Sequence, residues 1–440
     1  MMRSLFAGVS GLQNHQTRMD VVGNNIANVN TYGFKKGRVT FKDMISQSLA
    51  GAAKPQEDRG GINPQQVGLG MQVATIDTIH TQGALQVTGV STDLAIQGEG
   101  FFIEKRGEST YYTRNGAFSV DKNGYLVNPS NGYKVQGWNA TMDEEGNPTL
   151  NTARTAEDLI IPVGSKDPAR ATANTKYFCN LQKTSDTHQA DLTIYDSTGT
   201  ARQLRATWNR TGVNTWNMTI DIPEATEGSV SISAGDPVQG GGNNTFQLTF
   251  NDAGSLISVS DGTNTQTEGD LNPNVSFTYQ GTEGEVNQTI NLFMGTSGMF
   301  NGITQFESPS TTKAIEQDGY TLGLLEGFSF DDSGIITGVF TNGNRKELGQ
   351  VALAKFNNPG GLEKAGDSLF VASNNSGAAN VGTAAVEGRG SIKAGVLEMS
   401  NVDLSEQFTD MIVTQRGFQS NARTITTADQ MLQEVLGLKR

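Results

Sequence analysis

The fold of this chain is decided at its C-terminal end by the stretch LSEQFTDMIVTQRGFQSNARTITTADQMLQEVL, residues 404–436. Residues recur along it at alternating steps of four and three, which is the spacing of a coiled-coil seam. The d positions of this seam are all large and apolar, and they are Leu404, Met411, Phe418, Ile425 and Leu432. The a positions are Phe408, Gln415, Ala422, Asp429 and Leu436. Asn401 and Asp403 are suited to cap the start of this helix.

The N-terminal residues carry the same pattern in a second predicted helix, from about Ser4 to Ile26. Its series is Met2, Leu5, Val9, Leu12, Gln16, Met19, Gly23 and Ile26. A single amphipathic helix leaves its apolar face in water, so each stripe needs a partner. The first candidates are the two stripes themselves, and next come other copies of the chain. We expect both ends to be largely disordered in dilute monomer, where neither stripe has a partner from a second copy.

Three polar residues occupy a positions in these seams: Gln16, Gln415 and Asp429. A polar a residue costs stability but selects register and partner number. The same residues would also suit a solvated groove, and the pattern leaves both interpretations open.

The long middle of the chain has the composition of a β protein. Of 440 residues 53 are glycine, while aromatic residues make up 7% and charged residues 18%, which suits short strands joined by tight turns. Five segments share the form Asp/Asn-x-x-Gly, beginning at Asp121, Asp143, Asp196, Asn251 and Asp331. The first residue caps a type I turn and the glycine supplies the left-handed bulge of a hairpin. None has the ligand spacing of an EF-hand, so hairpins are favoured over calcium sites.

Two of these turns are closely similar, since FSVD (118–121) and FSFD (328–331) each continue to a glycine and an apolar pair. They indicate one β domain built from both flanks of an insertion. The predicted fold class is therefore mainly β with α-helical termini, in which coiled-coil helices bracket discontinuous β domains. The predicted parts are terminal helices (1–30, 400–440), connectors (31–70, 371–399), a flank-built β domain (71–171, 311–370) and an inserted outer β domain (172–310).

Composition and motifs exclude several classes of function. The net charge of −13 offers no basic surface for nucleic acid. No run of eighteen apolar residues predicts a membrane span, and the N-terminus lacks a secretory cleavage region, which by itself predicts a cytosolic protein. A P-loop, a dinucleotide fingerprint and a nucleophile elbow are all missing, so neither an enzyme nor a cofactor is expected. One cysteine and three scattered histidines make a metal site an unfavoured interpretation.

The single cysteine, Cys179, lies in the strand-like run KYFCNL (176–181). An inert buried thiol is the simple interpretation. Alternatively, at a subunit contact the thiol loses sulfide to leave dehydroalanine, and a lysine amine then adds to the alkene. The lysines close to it in sequence are Lys166, Lys176 and Lys183.

Several segments together resemble the bacterial flagellar rod and hook protein family. The N-terminal signature is SLFAGVSGL (4–12) with MDVVGNNIANVNT (19–31), and the C-terminal one is SNVDL (400–404) with QRGFQSNAR (415–423). LAIQGEGFF (94–102) resembles the first β segment of the family, whereas QDGY (317–320) and NNPGGL (357–362) resemble its hook members. The resemblance covers roughly 1–140 and 310–440 and leaves the middle unmatched.

The resemblance implies a structural subunit that is exported unfolded, without a cleaved signal, by the flagellar type III apparatus. It implies self-assembly under a cap into a tubular universal joint, with terminal helices in the inner tube. The implied partners are further copies, the hook cap, the distal rod, the hook–filament junction proteins and the export apparatus. The implied location is the hook, outside the cell or in the periplasm of a spirochete, which replaces the cytosolic expectation.

Hook members of the spirochete type are joined by a lysinoalanine bond between a cysteine followed by asparagine and a lysine shortly upstream. The resemblance therefore implies roles for Cys179, Asn180 and Lys166, which lies in the loop-like segment GSKDP (164–168). A distal rod protein is the alternative within the family, although rod members are usually shorter and lack an inserted β domain. A β-rich extracellular adhesin or enzyme would explain the body but not the paired heptads.

Overall fold

A computed structural model describes residues 2–52, 54, 60–143, 148–225, 229–234, 244–281 and 284–437. The chain divides into two compact units. Unit 1 comprises 1–163, 327–338 and 345–440, and unit 2 comprises 164–326 and 339–344. The inserted domain predicted at 172–310 lies within the span of unit 2.

Long helices begin and end the described chain. Helix α1 spans Met2–Ala27 and helix α2 spans Leu404–Gly437. Asp403 caps α2, because its Oδ1 accepts the backbone N–H of Ser405 at 2.8 Å. Asn401 instead links the start of α2 to the first flank of the chain. Its Oδ1 accepts the Lys36 N–H at 2.8 Å, and its amide donates to the Ile79 carbonyl at 2.8 Å.

Between the helices, the described residues form strands and one 3₁₀ turn, Pro359–Gly361. The first stretch contains β1 Gly37–Asp43, β2 Ser46–Ala50, β3 Gln65–Gly68, β4 Met71–Thr78, β5 Leu85–Val87, β6 Leu94–Gln97, β7 Phe101–Arg106, β8 Ser109–Thr113, β9 Ser119–Val120, β10 Leu126–Val127, β11 Lys134–Asn139, β12 Thr141–Met142, β13 Pro148–Thr149 and β14 Glu157–Asp158. The second contains β15 Lys166–Asp167, β16 Asn174–Gln182, β17 Thr187–Tyr195, β18 Ala201–Gly212, β19 Thr215–Asp221, β20 Ser231–Ser233, β21 Thr245–Phe250, β22 Leu256–Ser260, β23 Thr265–Gln266, β24 Asn274–Gly281, β25 Gly284–Phe293, β26 Ile303–Phe306 and β27 Thr311–Gln317. The third contains β28 Gly323–Phe330, β29 Ile335–Phe340, β30 Arg345–Val351, β31 Leu353–Lys355, β32 Glu363–Gly366, β33 Leu369–Val371, β34 Asn380–Gly382, β35 Ser391–Ala394 and β36 Val396–Glu398.

Unit 1 pairs strands from the two flanks of the chain. Its main sheet runs β28-β29-β30-β11-β7-β8-β33-β32, so that β11 of the first flank pairs with β30 of the second and β8 pairs with β33. Two further ladders, β35 with β6 and β36 with β5, bring the segment before α2 against the first flank. The apolar core under the main sheet includes Phe102, Leu126, Leu159, Ile336 and Val351.

Unit 2 contains two six-stranded sheets that share one apolar core. One sheet runs β20-β24-β25-β16-β26 with β27 also paired to β16, and the other runs β17-β18-β19-β21-β22-β23. Residues of both sheets meet in the core, among them Tyr177, Cys179, Trp208, Trp216 and Phe277. The alternation of buried and exposed side chains along β16 and β18 is that of strands with one face on a core.

The structure confirms the predicted glycine turns at four places. In the turn after Asp121, Asp121 Oδ1 accepts the Asn123 N–H at 2.9 Å, and Gly124 has φ 88°. The turns at Asp196, Asn251 and Asp331 likewise end in glycines with positive φ, namely Gly199, Gly254 and Gly334. Left-handed φ is accessible to glycine at little cost, which is why the pattern predicts hairpins. The fifth turn, from Asp143 to Gly146, lies mostly outside the described residues.

The terminal segments differ from the expected disorder of a single chain. Both are helical, and they pack against each other within unit 1. The physical reason is that glycines line their contact and allow the helices to approach closely. No helix of the described part is long and apolar enough to span a membrane.

Candidate assembly surface and crosslink site

Helices α1 and α2 pair in antiparallel fashion through small and polar residues. Gly8 faces Ile425 and Gly11 faces Asn421, and further along the pair His15 faces Gly417. A Cβ atom placed on Gly11 would lie 2.6 Å from Asn421 Nδ2, which no real side chain tolerates without movement. A side chain at Gly11 would therefore displace the Asn421 side chain, and one at Gly417 would displace the His15 ring.

Two polar contacts continue the same face toward the C-terminal end of α1. Arg18 donates to Asp410 Oδ1 at 2.9 Å, and Asn25 Nδ2 donates to Gln407 Oε1 at 2.9 Å. Asn25 also exchanges two hydrogen bonds of 2.9 Å with the backbone of Gly37, which fixes the chain as it leaves α1. Gln407 and Asn25 are both buried, so this end of the pair is closed by a polar contact.

The predicted apolar seam shares Ile425 with this contact face, where Ile425 lies against Gly8. On α1 the d residues are half-buried: Leu5, Leu12, Met19 and Ile26. On α2, Met411, Ile425 and Leu432 are half-buried, whereas Leu404 and Phe418 are each 40% exposed. The a residues Val9, Gln16, Gly23, Phe408, Gln415 and Asp429 are exposed, and Ala422 is half-buried. The side chains of Met2 and Leu436 lie outside the described part.

The single chain therefore leaves an apolar surface on both helices in water. The largest exposed apolar side chains there are Phe6, Val9, Phe408, Ile412, Val413, Phe418, Met431 and Val435. Large exposed apolar patches on a soluble chain mark interaction surfaces. Val9, Phe408 and Phe418 belong to the predicted seams, whereas the contact face was not predicted. Its signal was the spacing of Gly8, Gly11 and Gly417 rather than any hydrophobic period.

A buried ion triad joins the two helix ends to the β body. Lys35 follows α1, Glu398 precedes α2, and Arg114 follows β8. Lys35 Nζ lies 2.6 Å from Glu398 Oε1, and Arg114 lies 3.3 Å from Glu398 Oε2. The Gly83 N–H also donates to Glu398 at 2.8 Å. All three charged side chains are buried, so their mutual pairing is essential to their placement. Sequence reasoning did not identify this triad.

Cys179 is buried between the two sheets of unit 2. Its side chain is directed into the shared core together with Tyr177 and Leu181, the residues two positions away on the same strand face. The residue is 5% exposed, and burial raises the pKa of its thiol to about 12. At neutral pH the thiol is protonated and poorly nucleophilic.

The three candidate lysines have different surroundings. Lys166 is exposed on β15, whose partner is the first part of β28. Lys176 is exposed on the outer face of β16 and pairs with Glu316 at 2.5 Å. The backbone N–H of Lys183 donates to the Phe306 carbonyl at 2.9 Å.

Asn180 holds the loop that leads from β26 to β27. Its Oδ1 accepts the Phe306 N–H at 2.9 Å, and its Nδ2 donates to the Ser308 carbonyl at 2.9 Å. Because these two strands flank β16, the Asn180 side chain ties together the neighbours on either side of Cys179.

Among the described residues, no group of three His, Cys, Asp or Glu side chains is placed to hold a metal ion. The two candidate functional features are thus the exposed apolar surface on α1 and α2 and the buried thiol of Cys179.

Comparison with known proteins shows the class of protein that these features define. The model for flagella basal body rod proteins matches residues 5–35, and the flagellar hook protein FlgE/F/G D1 domain matches 95–167. The flagellar basal body protein FlaE D2 domain matches 163–320, and the flagellar basal body rod FlgEFG protein C-terminal model matches 393–438. The chain thus has the domain series of the flagellar rod and hook subunits.

Relatives that match over the full length narrow this class. The chain is 50% identical to the flagellar hook protein FlgE of Treponema pallidum and 51% identical to that of Borreliella burgdorferi, with all of each chain covered. Its fold is similar to that of Helicobacter pylori flagellar hook protein FlgE2, at a TM-score of 0.51 and 13% identity, covering 71% of this chain and 100% of that chain.

The chain belongs to the flagellar hook protein family and is a structural subunit of the hook. The resemblance read from the terminal signatures is confirmed. The hook relatives imply that the protein is located in the flagellar hook, which corrects the cytosolic expectation. They also favour a hook subunit over a distal rod protein.

Proposed function

We propose that this hook subunit assembles through its terminal helices into the inner tube of a flexible universal joint that transmits torque from rod to filament. The observation that carries this proposal is the apolar surface on α1 and α2 that the single chain leaves exposed. In a helical polymer each copy can cover the stripe of its neighbours, which removes apolar area from water. The antiparallel pair of α1 and α2 then assembles as one unit, and its exposed apolar residues form the contacts with neighbouring subunits.

The remaining partners follow from the hook assignment and are part of this proposal. They are the hook cap, the distal rod, the hook–filament junction proteins and the flagellar type III export apparatus. Export proceeds without a cleaved signal, and the mature location is outside the cell or, in a spirochete, the periplasm. Neither nucleic acid nor membrane insertion has a part in this function.

We further propose that neighbouring subunits become joined by a lysinoalanine crosslink between Cys179 of one copy and Lys166 of another. The reaction is autocatalytic and uses no cofactor. A base removes the Cα proton of Cys179, the Cβ–Sγ bond breaks, and sulfur leaves as HS⁻, which takes up a proton to give H₂S. The neutral Lys166 amine then adds its Nζ to Cβ, and Cα regains a proton. One H₂S leaves for each crosslink, and no oxidant is required.

Several observations support this crosslink. Cys179 is the single cysteine of the chain, it is followed by Asn180, and Lys166 presents an exposed amine on β15. Two relatives at about half identity are hook proteins of spirochetes. Burial of Cys179 also matches the requirement that free subunits stay unreacted before assembly, because a base and a lysine amine do not reach a side chain enclosed in a core.

The test compares polymers of wild type and Cys179→Ala on denaturing gels after boiling with reductant. Wild type should give a ladder of covalent multimers, and its crosslinked peptide should be lighter than the two separate peptides by one H₂S per bond. Cys179→Ala should assemble but run as monomer. Complete dissociation of wild-type polymers to monomer would exclude the crosslink, and it would leave the assembly proposal standing.

A further inference from the structure

One corner of the unit 2 core combines the buried thiol with two polar side chains. Strand β27 pairs antiparallel with β16 in a register that sets Thr312 directly opposite Cys179. Side chains directly opposite each other in an antiparallel ladder lie on the same face, with Cβ atoms about 5 Å apart. The Thr312 hydroxyl group is therefore a neighbour of the Cys179 thiol in the space between the two sheets.

The facing sheet supplies the second polar group, His188 on β17. Its Nε2 forms a hydrogen bond with Thr312 Oγ1. The imidazole is stacked on Trp208 at a centroid distance of 5.6 Å. Trp208 is the residue paired directly opposite His188 in the antiparallel ladder of β17 and β18. Burial lowers the pKa of His188, which favours the neutral ring.

This hydrogen bond joins the two layers beside Cys179. Within the part of the chain that the structure describes, β16 is the one strand that pairs with β27. A strand held on one side is the easiest to move away from its sheet. Thr312 and His188 are both half-buried, so the bond closes the rim of the core next to the thiol.

We propose that Thr312 and His188 are positioning residues of the crosslinking reaction. They hold β27 against the facing sheet at the rim beside the Cys179 side chain, and the thiol becomes reachable when that hydrogen bond opens. This inference rests on the proposed crosslink, and it explains how the reaction is delayed until subunits meet. A contact made by a neighbouring copy at this rim would replace the hydrogen bond and release Cys179 at the interface where a lysine is available.

The test measures how fast N-ethylmaleimide labels Cys179 in the unpolymerised full-length subunit. The chain has one cysteine, so the label reports on this position alone. Thr312→Val keeps the branched shape but removes the hydroxyl, and His188→Phe keeps an aromatic ring but removes Nε2. Each should label about two- to tenfold faster than wild type, since one net hydrogen bond contributes roughly 1 kcal/mol. Thr312→Ser retains a hydroxyl and should label within about twofold of wild type.

A matched control separates this effect from general weakening of the sheet. Half-buried Ser276 on β24 and exposed Thr289 on β25 share a 2.7 Å cross-strand hydroxyl contact in the same sheet as Cys179. Thr289→Val removes that contact and should leave the labelling rate unchanged. Unfolding of unit 2, followed by the fluorescence of its buried Trp208 and Trp216, shows whether each variant is folded.

The outcomes are distinct for the two proposals. Thr312→Val labelling at or below the wild-type rate would overturn this inference, and slower dehydroalanine formation in polymers of His188→Phe would do so as well. If instead wild-type polymers form no lysinoalanine, the crosslink itself fails. A wild type that crosslinks, together with a Thr312→Val variant that labels no faster, refutes the positioning role alone.

Discussion

At the scale of single residues, the proposed crosslink depends on Cys179 and on the lysine that reacts with it. Cys179 is 5% exposed, so a base and a lysine amine reach its Cα and Cβ atoms only when the surrounding core opens. In the proposed reaction, burial would therefore delay crosslinking until after folding.

The choice of lysine is a prediction at this scale. Lys166→Arg keeps the positive charge but supplies no amine that can lose its proton near neutral pH, so polymers of this variant should remain noncovalent. Lys176→Arg and Lys183→Arg should still form the ladder. The gel assay with boiling and reductant measures all three. A ladder that persists in Lys166→Arg and disappears in Lys176→Arg would assign the bond to Lys176 instead.

At this scale, the sequence predicted correctly those positions where the backbone conformation requires one particular residue type. The glycines that end the Asp/Asn-x-x-Gly turns were identified because left-handed φ favours glycine, as Gly124 and Gly334 show. The environment of Cys179 could not be obtained in the same way. Which face of a strand points inward depends on the pairing of β16 with β27 and on the facing β17, and those contacts join residues far apart in sequence.

At the scale of elements, the helix pair depends on the glycine face. Gly11→Leu should push α2 away, because its Cβ already meets Asn421, whereas a Cβ at Gly23 meets nothing within 4 Å. Both changes raise helix propensity by a similar amount, so the difference isolates packing. We expect Gly11→Leu to be less stable than Gly23→Leu by about 1–3 kcal/mol, the usual cost of overpacking.

Hydrogen exchange of the α1 and α2 amides in the soluble subunit measures this difference. Reduced protection of both helices in Gly11→Leu, with protection retained in Gly23→Leu, is the expected result. Equal protection in the two variants would mean that the antiparallel contact does not hold the helices in solution.

The ion triad gives a second prediction for elements. Glu398→Gln leaves Lys35 and Arg114 buried without a counter-charge, and we expect it to lower the free energy of unfolding of unit 1 by about 3–5 kcal/mol. Glu406→Gln removes the exposed partner of Lys36 and should cost less than about 1 kcal/mol. Denaturant titration of the two variants measures both values. Similar values for the two would show that the triad contributes no more than a surface pair.

The periodicity of the ends predicted both helices, and their observed bounds extend the N-terminal one by only a few residues. Their mutual register was not predictable from that pattern. The hydrophobic period identifies the residues that are stabilised by burial. The contact between α1 and α2 within one chain includes Gly8, Gly11, Asn25 and Gln407 instead. A pattern of apolar residues carries no information about a face made of glycine and polar groups.

At the scale of the whole molecule, the central claim is that the exposed apolar stripe of the helices is completed by other copies. Phe418 belongs to the predicted seam and is 40% exposed in the single chain. Phe418→Asp should therefore spare the folded subunit while placing a charge in the packed inner tube, where an unpaired charge is strongly unfavourable. Leu432→Asp should likewise prevent assembly and leave the β units folded.

A control for this variant lies on the same helix. Ser420 is exposed and lies outside the seam, so Ser420→Asp adds the same charge without entering the apolar stripe. It should polymerise as wild type does. Failure of both variants to assemble would point to net charge rather than to the stripe.

Electron microscopy of purified subunits polymerised in high salt tests the central claim most directly. We predict tubes from wild type and from Ser420→Asp, and only soluble subunits from Phe418→Asp, whose β units keep their cooperative unfolding transition. Tubes of wild-type form from Phe418→Asp would contradict the account, because they would show that assembly does not use the stripe.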